Sequence, residues 1–268
     1  MMQRHMSSER IIETEIHEAS RSSPSIWKLS LTIAAILIAW GLSTWMRLDW
    51  IEISKAKPET QWGNSFLPTT HDSYLFASII KQDSKKSQPQ EKLKLHPSSK
   101  QYGPLTLLGV ICSKYIGIPV EKYVTYAPIY FAGLLAIPMV LLGRLYGSIF
   151  MGFFGACLAV AGSSYFNRTM AGYLDTDIFA VTIPAFITYF FLRAHKEEST
   201  GCLAIGAVTA FIYPFFYAPG ATIVTAVNLC YIGFKTANWL ISRKCISEKS
   251  KCFSLRSSSS LMCESIRQ

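Results

Sequence analysis

Two aspartates two residues apart, Asp175 and Asp177, stand at the start of an apolar run and follow Arg168 by seven and nine positions. In loop or unwound backbone such a pair can turn its oxygens into one space, and hard divalent ions such as Mg²⁺ or Mn²⁺ prefer that donor chemistry. An Arg beside acids suits a phosphate group, which its planar fork binds through parallel hydrogen bonds. A third acid, Asp72, follows the turn Pro68-Thr69-Thr70 and precedes the aromatic start Tyr74-Leu75-Phe76. The same residues admit plainer roles. Acids at helix N-termini are favoured by the macrodipole, Thr176 offers a capping hydroxyl, and Arg168 can simply pair with one of the aspartates. Asn167-Arg168-Thr169 also spells a glycosylation sequon, close to a membrane edge.

The elements that must position these groups are membrane helices. Half of the 268 residues are hydrophobic and 16% are charged, against about 25% charged in ordinary soluble domains. The fold class predicted is an all-α, polytopic membrane protein. The net charge of +9 reads as membrane orientation, and no nucleic-acid-binding pattern accompanies it. The seven cysteines show neither C-x-x-C nor zinc-ligand spacing. Cys112, Cys157, Cys202 and Cys230 read as small hydrophobes in packed helices.

Residues 1–25 mix basic, acidic and serine residues and are expected to be a cytosolic tail. Six spans follow, at 26–46 and at about 121–143, 148–165, 177–193, 201–217 and 219–241, each judged against the roughly twenty apolar residues needed to cross a bilayer. Residues 47–119 are expected to form a long first outer loop, with Leu105 to Ile116 as an interfacial helix too short to span. Arg144, Arg193, Lys196, Lys235, Arg243 and Lys244 fall on one side. The positive-inside rule then puts both termini in the cytoplasm and the loops bearing Asp72 and Asp175 on the outer face, periplasmic in a bacterium.

The run Asn167 to Asp177, followed by a span containing Pro184, resembles the corresponding region of the oligosaccharyltransferase catalytic subunits, the STT3/PglB family, and most of all its campylobacterial single-subunit branch. Arg47 after the first span, Asp72-Ser73-Tyr74 in the first outer loop, Pro138 late in the second span and Tyr217 at the outer end of the fifth agree in order and approximate spacing. The resemblance covers about residues 27–240. It implies a GT-C-type bundle in the bacterial inner membrane that transfers an oligosaccharide from polyprenyl (undecaprenyl) diphosphate to Asn in Asn-X-Ser/Thr sequons. Carried over residue by residue, Asp72 and Asp175 would be catalytic and would hold Mg²⁺ or Mn²⁺. Asp177 would be a weaker ligand or an acid that orients Asp175, and Arg168, Tyr217 and Asn167 would contact substrate. Its partners would be the lipid-linked donor, a polypeptide acceptor and the bilayer.

Features of that family are missing from the sequence: a further metal-binding Glu in a second outer loop, and a soluble domain with W-W-D-Y-G. Residues 242–268 read as a cytosolic tail of Ser, Lys and Cys, of the kind a shifted frame or unrelated end would give. The expectation is an N-terminal part, inactive alone, with a separate chain as the possible source of the remainder. The rival reading is a non-catalytic membrane protein that binds cations or polyprenyl diphosphate lipids through the same acids.

Overall fold

A computed structural model describes residues 26–62, 65–84 and 103–241. The tails expected at 1–25 and 242–268, and residues 85–102 of the Lys/Ser/Gln-rich patch, lie outside them. The first helix, α1 (Ile26–Lys55), does not stop at Met46 but continues for nine more residues. Charge at Arg47 marked the expected exit, yet Arg47 is fully buried and its guanidinium is satisfied by neighbouring chain, so the helix has no reason to end there. An ion pair between Lys55 and Glu52 at 2.6 Å supports the last turn. The segment 47–119 is not bare loop. It holds a two-residue antiparallel hairpin, β1 (Gln61–Trp62) with β2 (Ser65–Phe66), then α2 (His71–Ser84) and α3 (Gly103–Ile111). A wider turn, Cys112–Ile116, extends α3 and ends at Gly117 with φ of 78°, where only glycine is unstrained.

After α3 the chain forms α4 (Val120–Leu145), α5 (Ile149–Ala161), α6 (Ser163–Asn167), α7 (Asp177–Lys196) and α8 (Thr200–Phe216). A further helix, α9, runs over 220–241. Among the described residues α1, α4 and α7 are the helices found long and apolar enough to cross a membrane. The expected third span, 148–165, ends at Ala161. Gly162 there leaves helical geometry, with ψ of 126°, and only the five-residue α6 follows. Gly109 of α3 packs against α2 and α4, where an added Cβ would lie 2.4 Å from Ile80 and 2.9 Å from Tyr123. Leu107, and Ile116 in the turn beyond it, remain 61% and 66% exposed.

Small residues let α1, α4 and α5 approach closely. Ala35, Ala39, Ala136, Val140 and Ala156 form their common core. Trp40 of α1 lies over Gly133, where a Cβ would come within 1.5 Å of the indole, and its N–H donates to the Tyr130 carbonyl at 2.9 Å. The tight turn Gly133–Leu135 interrupts α4 between Pro128 and Pro138, neither of which can donate to the helix ladder. At one end of the bundle Arg144 donates to Thr32 and Lys196 to the Leu145 carbonyl. This is the basic end. At the opposite, loop end Arg47 meets Thr169 and Lys81 meets Glu121.

Gly143 and Gly152 face each other so closely that a Cβ on Gly143 would lie 2.2 Å from the Gly152 Cα. Gly152→Leu is expected to cost about 1–3 kcal/mol through overpacking, read as a lower thermal unfolding temperature in detergent. Gly41→Leu, where nothing lies within 4 Å, should not lower it.

Candidate functional site at the loop end

The segment 162–177 is fixed at three successive points. The first is Thr169, fully buried, whose carbonyl and hydroxyl accept from Arg47 Nε at 3.0 and 3.1 Å. The Thr169 hydroxyl also accepts from Arg47 Nη2 at 2.6 Å and donates to the Tyr165 carbonyl at 2.6 Å. The second is Gly172, which takes φ of 76°. Its N–H donates to the Thr125 carbonyl of α4 at 3.1 Å, and its carbonyl accepts from the Thr69 N–H at 3.0 Å. A Cβ there would lie 3.2 Å from the Leu67 carbonyl oxygen, so both the backbone angle and the space call for glycine. The third is Leu174, buried, whose carbonyl accepts from the Ser73 hydroxyl at 3.2 Å.

Ser73 and Leu174 are the immediate neighbours of Asp72 and Asp175, so their bond brings the two acids to one edge of the bundle. Asp72 is exposed in the first turn of α2. The cap of that helix is Thr70, whose hydroxyl accepts from the Ser73 N–H at 3.3 Å, which leaves the Asp72 carboxylate free of the capping role. Asp175 is half-buried, and its Oδ1 accepts from the N–H of Thr176 at 2.5 Å and from its hydroxyl at 3.2 Å. The Thr176 hydroxyl thus serves Asp175 and not the start of α7. Burial, then the charge of Asp177, and more weakly that of Asp72, push the Asp175 carboxyl above its ordinary value against the pull of those two bonds. Carboxylates that repel in this way favour a cation between them.

Asp177, the first residue of α7, is ion-paired with Arg168, the plainer of the two roles open to that arginine in the sequence. The pair holds the Arg168 charge beside the acids while its side chain stays 60% exposed. The guanidinium is raised further above its ordinary value by that partner. Asn167, next to it, is exposed. Tyr217 goes elsewhere: it stacks on Tyr213 with ring centroids 6.0 Å apart and packs with the α7–α8 core. No hydrogen bond joins Tyr217 to Arg168 or to the acids among the described residues.

Among the described residues no three His, Cys, Asp or Glu side chains converge closely enough to hold a metal ion. Asp177 is turned to Arg168; Asp72 and Asp175 form the other pair of acids, in weaker electrostatic reach of one another than Asp175 is of Asp177. The pair fits a hard divalent ion by donor chemistry and by mutual repulsion. Sequence reasoning passed over Ser73 and Thr169, which dock the loop, and Tyr173. The Tyr173 phenol is half-buried and is held above its ordinary value by burial and by Asp175, with Asp177 and Asp72 also in electrostatic reach and Arg168 opposing. The sole sequence signal for these residues was their place inside the stretches already singled out.

Residues 94–251 match the family described as oligosaccharyl transferase STT3, N-terminal. The undecaprenyl-diphosphooligosaccharide–protein glycotransferases of two Campylobacter jejuni strains are each 28% identical over 194 residues, which is 72% of this chain and 26% of the relative. The chain thus spans about a quarter of the length of the curated relatives it matches. Among solved structures, the apo oligosaccharyltransferase of Archaeoglobus fulgidus superposes with a TM-score of 0.57 at 16% identity, covering 74% of this chain and 25% of that one. The same organism's enzyme in complex with an inhibitory peptide and a dolichol-phosphate also gives 0.57, at 17% identity and covering 78% and 26%. The shared fold is the GT-C-type helical bundle.

Because the Asp175 value is raised on folding, its contribution to stability is fully present below the ordinary carboxylate range and is lost as pH rises through the raised value. In metal-free buffer Asp175→Asn, which keeps an oxygen for Thr176, is expected to unfold a few degrees higher than the parent at pH 7. That advantage should vanish by about pH 4. Thermal melts across that range check it.

Proposed function

Because the chain belongs to the oligosaccharyl transferase STT3 family, we propose that it is the N-terminal part of a membrane enzyme that transfers an oligosaccharide en bloc. The donor is a polyprenyl diphosphate, undecaprenyl in a bacterium, and the acceptor is the side-chain amide of Asn in Asn-X-Ser/Thr. The names of the campylobacterial relatives support the reaction class, and the archaeal complex supports a lipid-linked donor and a peptide acceptor. The observation that carries the reading is the Ser73–Leu174 bond, which joins the chain neighbours of Asp72 and Asp175 and so supports a shared site.

In this reading Asp72, the exposed acid, meets the acceptor amide and shares a divalent ion with Asp175. A bound Mg²⁺ or Mn²⁺ would supply positive charge to offset that of the departing diphosphate. The chain's own groups do the positioning. Asp177 keeps Arg168 at the edge of the site, and the exposed face of the guanidinium suits the diphosphate oxygens. Asn167 beside it, and Tyr217 at the end of α8, line the donor path. Lys28, Arg144, Arg193 and Lys196 lie toward the basic end, which supports placing that end in the cytoplasm of a bacterial inner membrane and the loop end on the periplasmic face. The further ligands and the grip on the acceptor come from the remainder of a longer protein or from a separate chain.

Mn²⁺ titration of the purified chain, followed by electron paramagnetic resonance, tests the site. Asp72→Ala or Asp175→Ala is expected to weaken binding by about tenfold or more, and unchanged binding in both removes them from it. With lipid-linked donor and a sequon peptide, the chain alone is expected to give no transfer. Co-expression with a complementing C-terminal part should restore transfer, and either substitution should abolish it. Donor binding without transfer in every reconstitution would favour a non-catalytic lipid-binding protein.

A further inference from the structure

We propose that Arg47 is a positioning residue for the acid pair, setting the register of the loop that carries Asp175 without touching substrate. The inference rests on the reading of Asp72 and Asp175 as a cation site. Arg47 is fully buried in α1, and all three guanidinium nitrogens are used. Nε and Nη2 hold Thr169. Nη1 returns to the carbonyl and hydroxyl of Ser43 at 3.1 and 2.8 Å. Nη2 also reaches the Val160 carbonyl at 3.2 Å. The cation lies over the rings of Phe166 and Tyr165, 4.9 and 5.8 Å from their centroids.

No carboxylate pairs with Arg47 among the described residues, so its charge neutralises no acid. What it does is geometric. Val160 is in the last turn of α5, where carbonyls lack partners within the helix, and Thr169 begins the loop. One side chain therefore joins the exit of α5, the entry of the loop and the wall of α1. Three residues on, Gly172 is bonded on both sides, and two beyond that Leu174 is held by Ser73. With its entry fixed by Arg47, the loop has one register in which Gly172 meets Thr125 and Leu174 meets Ser73. A lysine in place of Arg47 cannot reproduce the fork, since its single ammonium cannot span Ser43, Val160 and Thr169 together.

Hydrogen–deuterium exchange of the full chain in lipid nanodiscs tests this, alongside Mn²⁺ binding. In Arg47→Met, amides of 165–176 are expected to exchange about tenfold faster while those of 181–191 in α7 keep the parental rate. Mn²⁺ affinity should fall about tenfold with both acids intact, and Arg47→Lys should lie between. Parental exchange across 165–176 in Arg47→Met overturns the proposal, and so does parental Mn²⁺ affinity with a loosened loop. If Arg47→Met loses protection throughout, Thr169→Val decides, because it removes one acceptor and keeps the shape. Faster exchange confined to the loop then supports the assignment, and unchanged exchange overturns it. If the parent chain binds no Mn²⁺, the cation reading falls, and the exchange rates alone decide whether Arg47 sets the loop.

Discussion

A guanidinium cannot be left unsatisfied inside a helical bundle. Burying an unpaired charge costs several kcal/mol even after relaxation, so the chain around Arg47 must supply acceptors for every N–H it can. It does so from three places that are far apart in sequence: Ser43 one turn earlier in α1, Val160 at the end of α5, and Thr169 at the start of the loop. The need of one side chain thereby fixes the relative position of three backbone segments. Two of these acceptors are carbonyls outside a complete helix ladder, which need donors in any case.

From that anchor the loop end follows by short steps. Thr169 is held, Gly172 takes a left-handed turn between α4 and the irregular stretch Leu67–Thr69, and Leu174 takes the Ser73 hydroxyl. Each bond is modest alone, about 0.5–1.5 kcal/mol net, but together they hold the loop against the start of α2. The outcome is an electrostatically uncomfortable edge. Asp175 is half-buried beside like charge, and Arg168 makes its ion pair with Asp177. Burial and like charge around Asp175 cost stability, which a cation at the proposed site would restore.

Much of this was readable before any coordinates. The apolar runs gave the helices, and the short apolar stretch with Lys114 gave the short helix α3. The acid-bearing stretch Asn167 to Asp177 and its likeness to the oligosaccharyltransferases gave the family. Three things were not readable. The continuation of α1 past Met46 was hidden because an arginine looks like a membrane exit until its acceptors are known. The break at Gly162, which ends α5 short of the expected span, was hidden because glycine is common within membrane helices. The partner of Arg168 was hidden because spacing leaves both Asp175 and Asp177 within reach, and only the turn through Gly172 and Thr176 decides that it meets Asp177. Tyr217 shows the opposite case: its place at the end of α8 was legible, but its ring stacks on Tyr213 and does not reach the acids.

The central claim is that the loop, docked on the start of α2, brings Asp72 within electrostatic reach of Asp175. The most direct measurement is the titration of the Asp175 carboxyl, followed by isotope-edited infrared difference spectroscopy of the metal-free chain, with and without Asp72→Asn. The account predicts that removing the Asp72 charge moves the Asp175 titration downward, towards the ordinary carboxylate range. An Asp175 titration that stays where it was would contradict it, because the two acids would then not share a site.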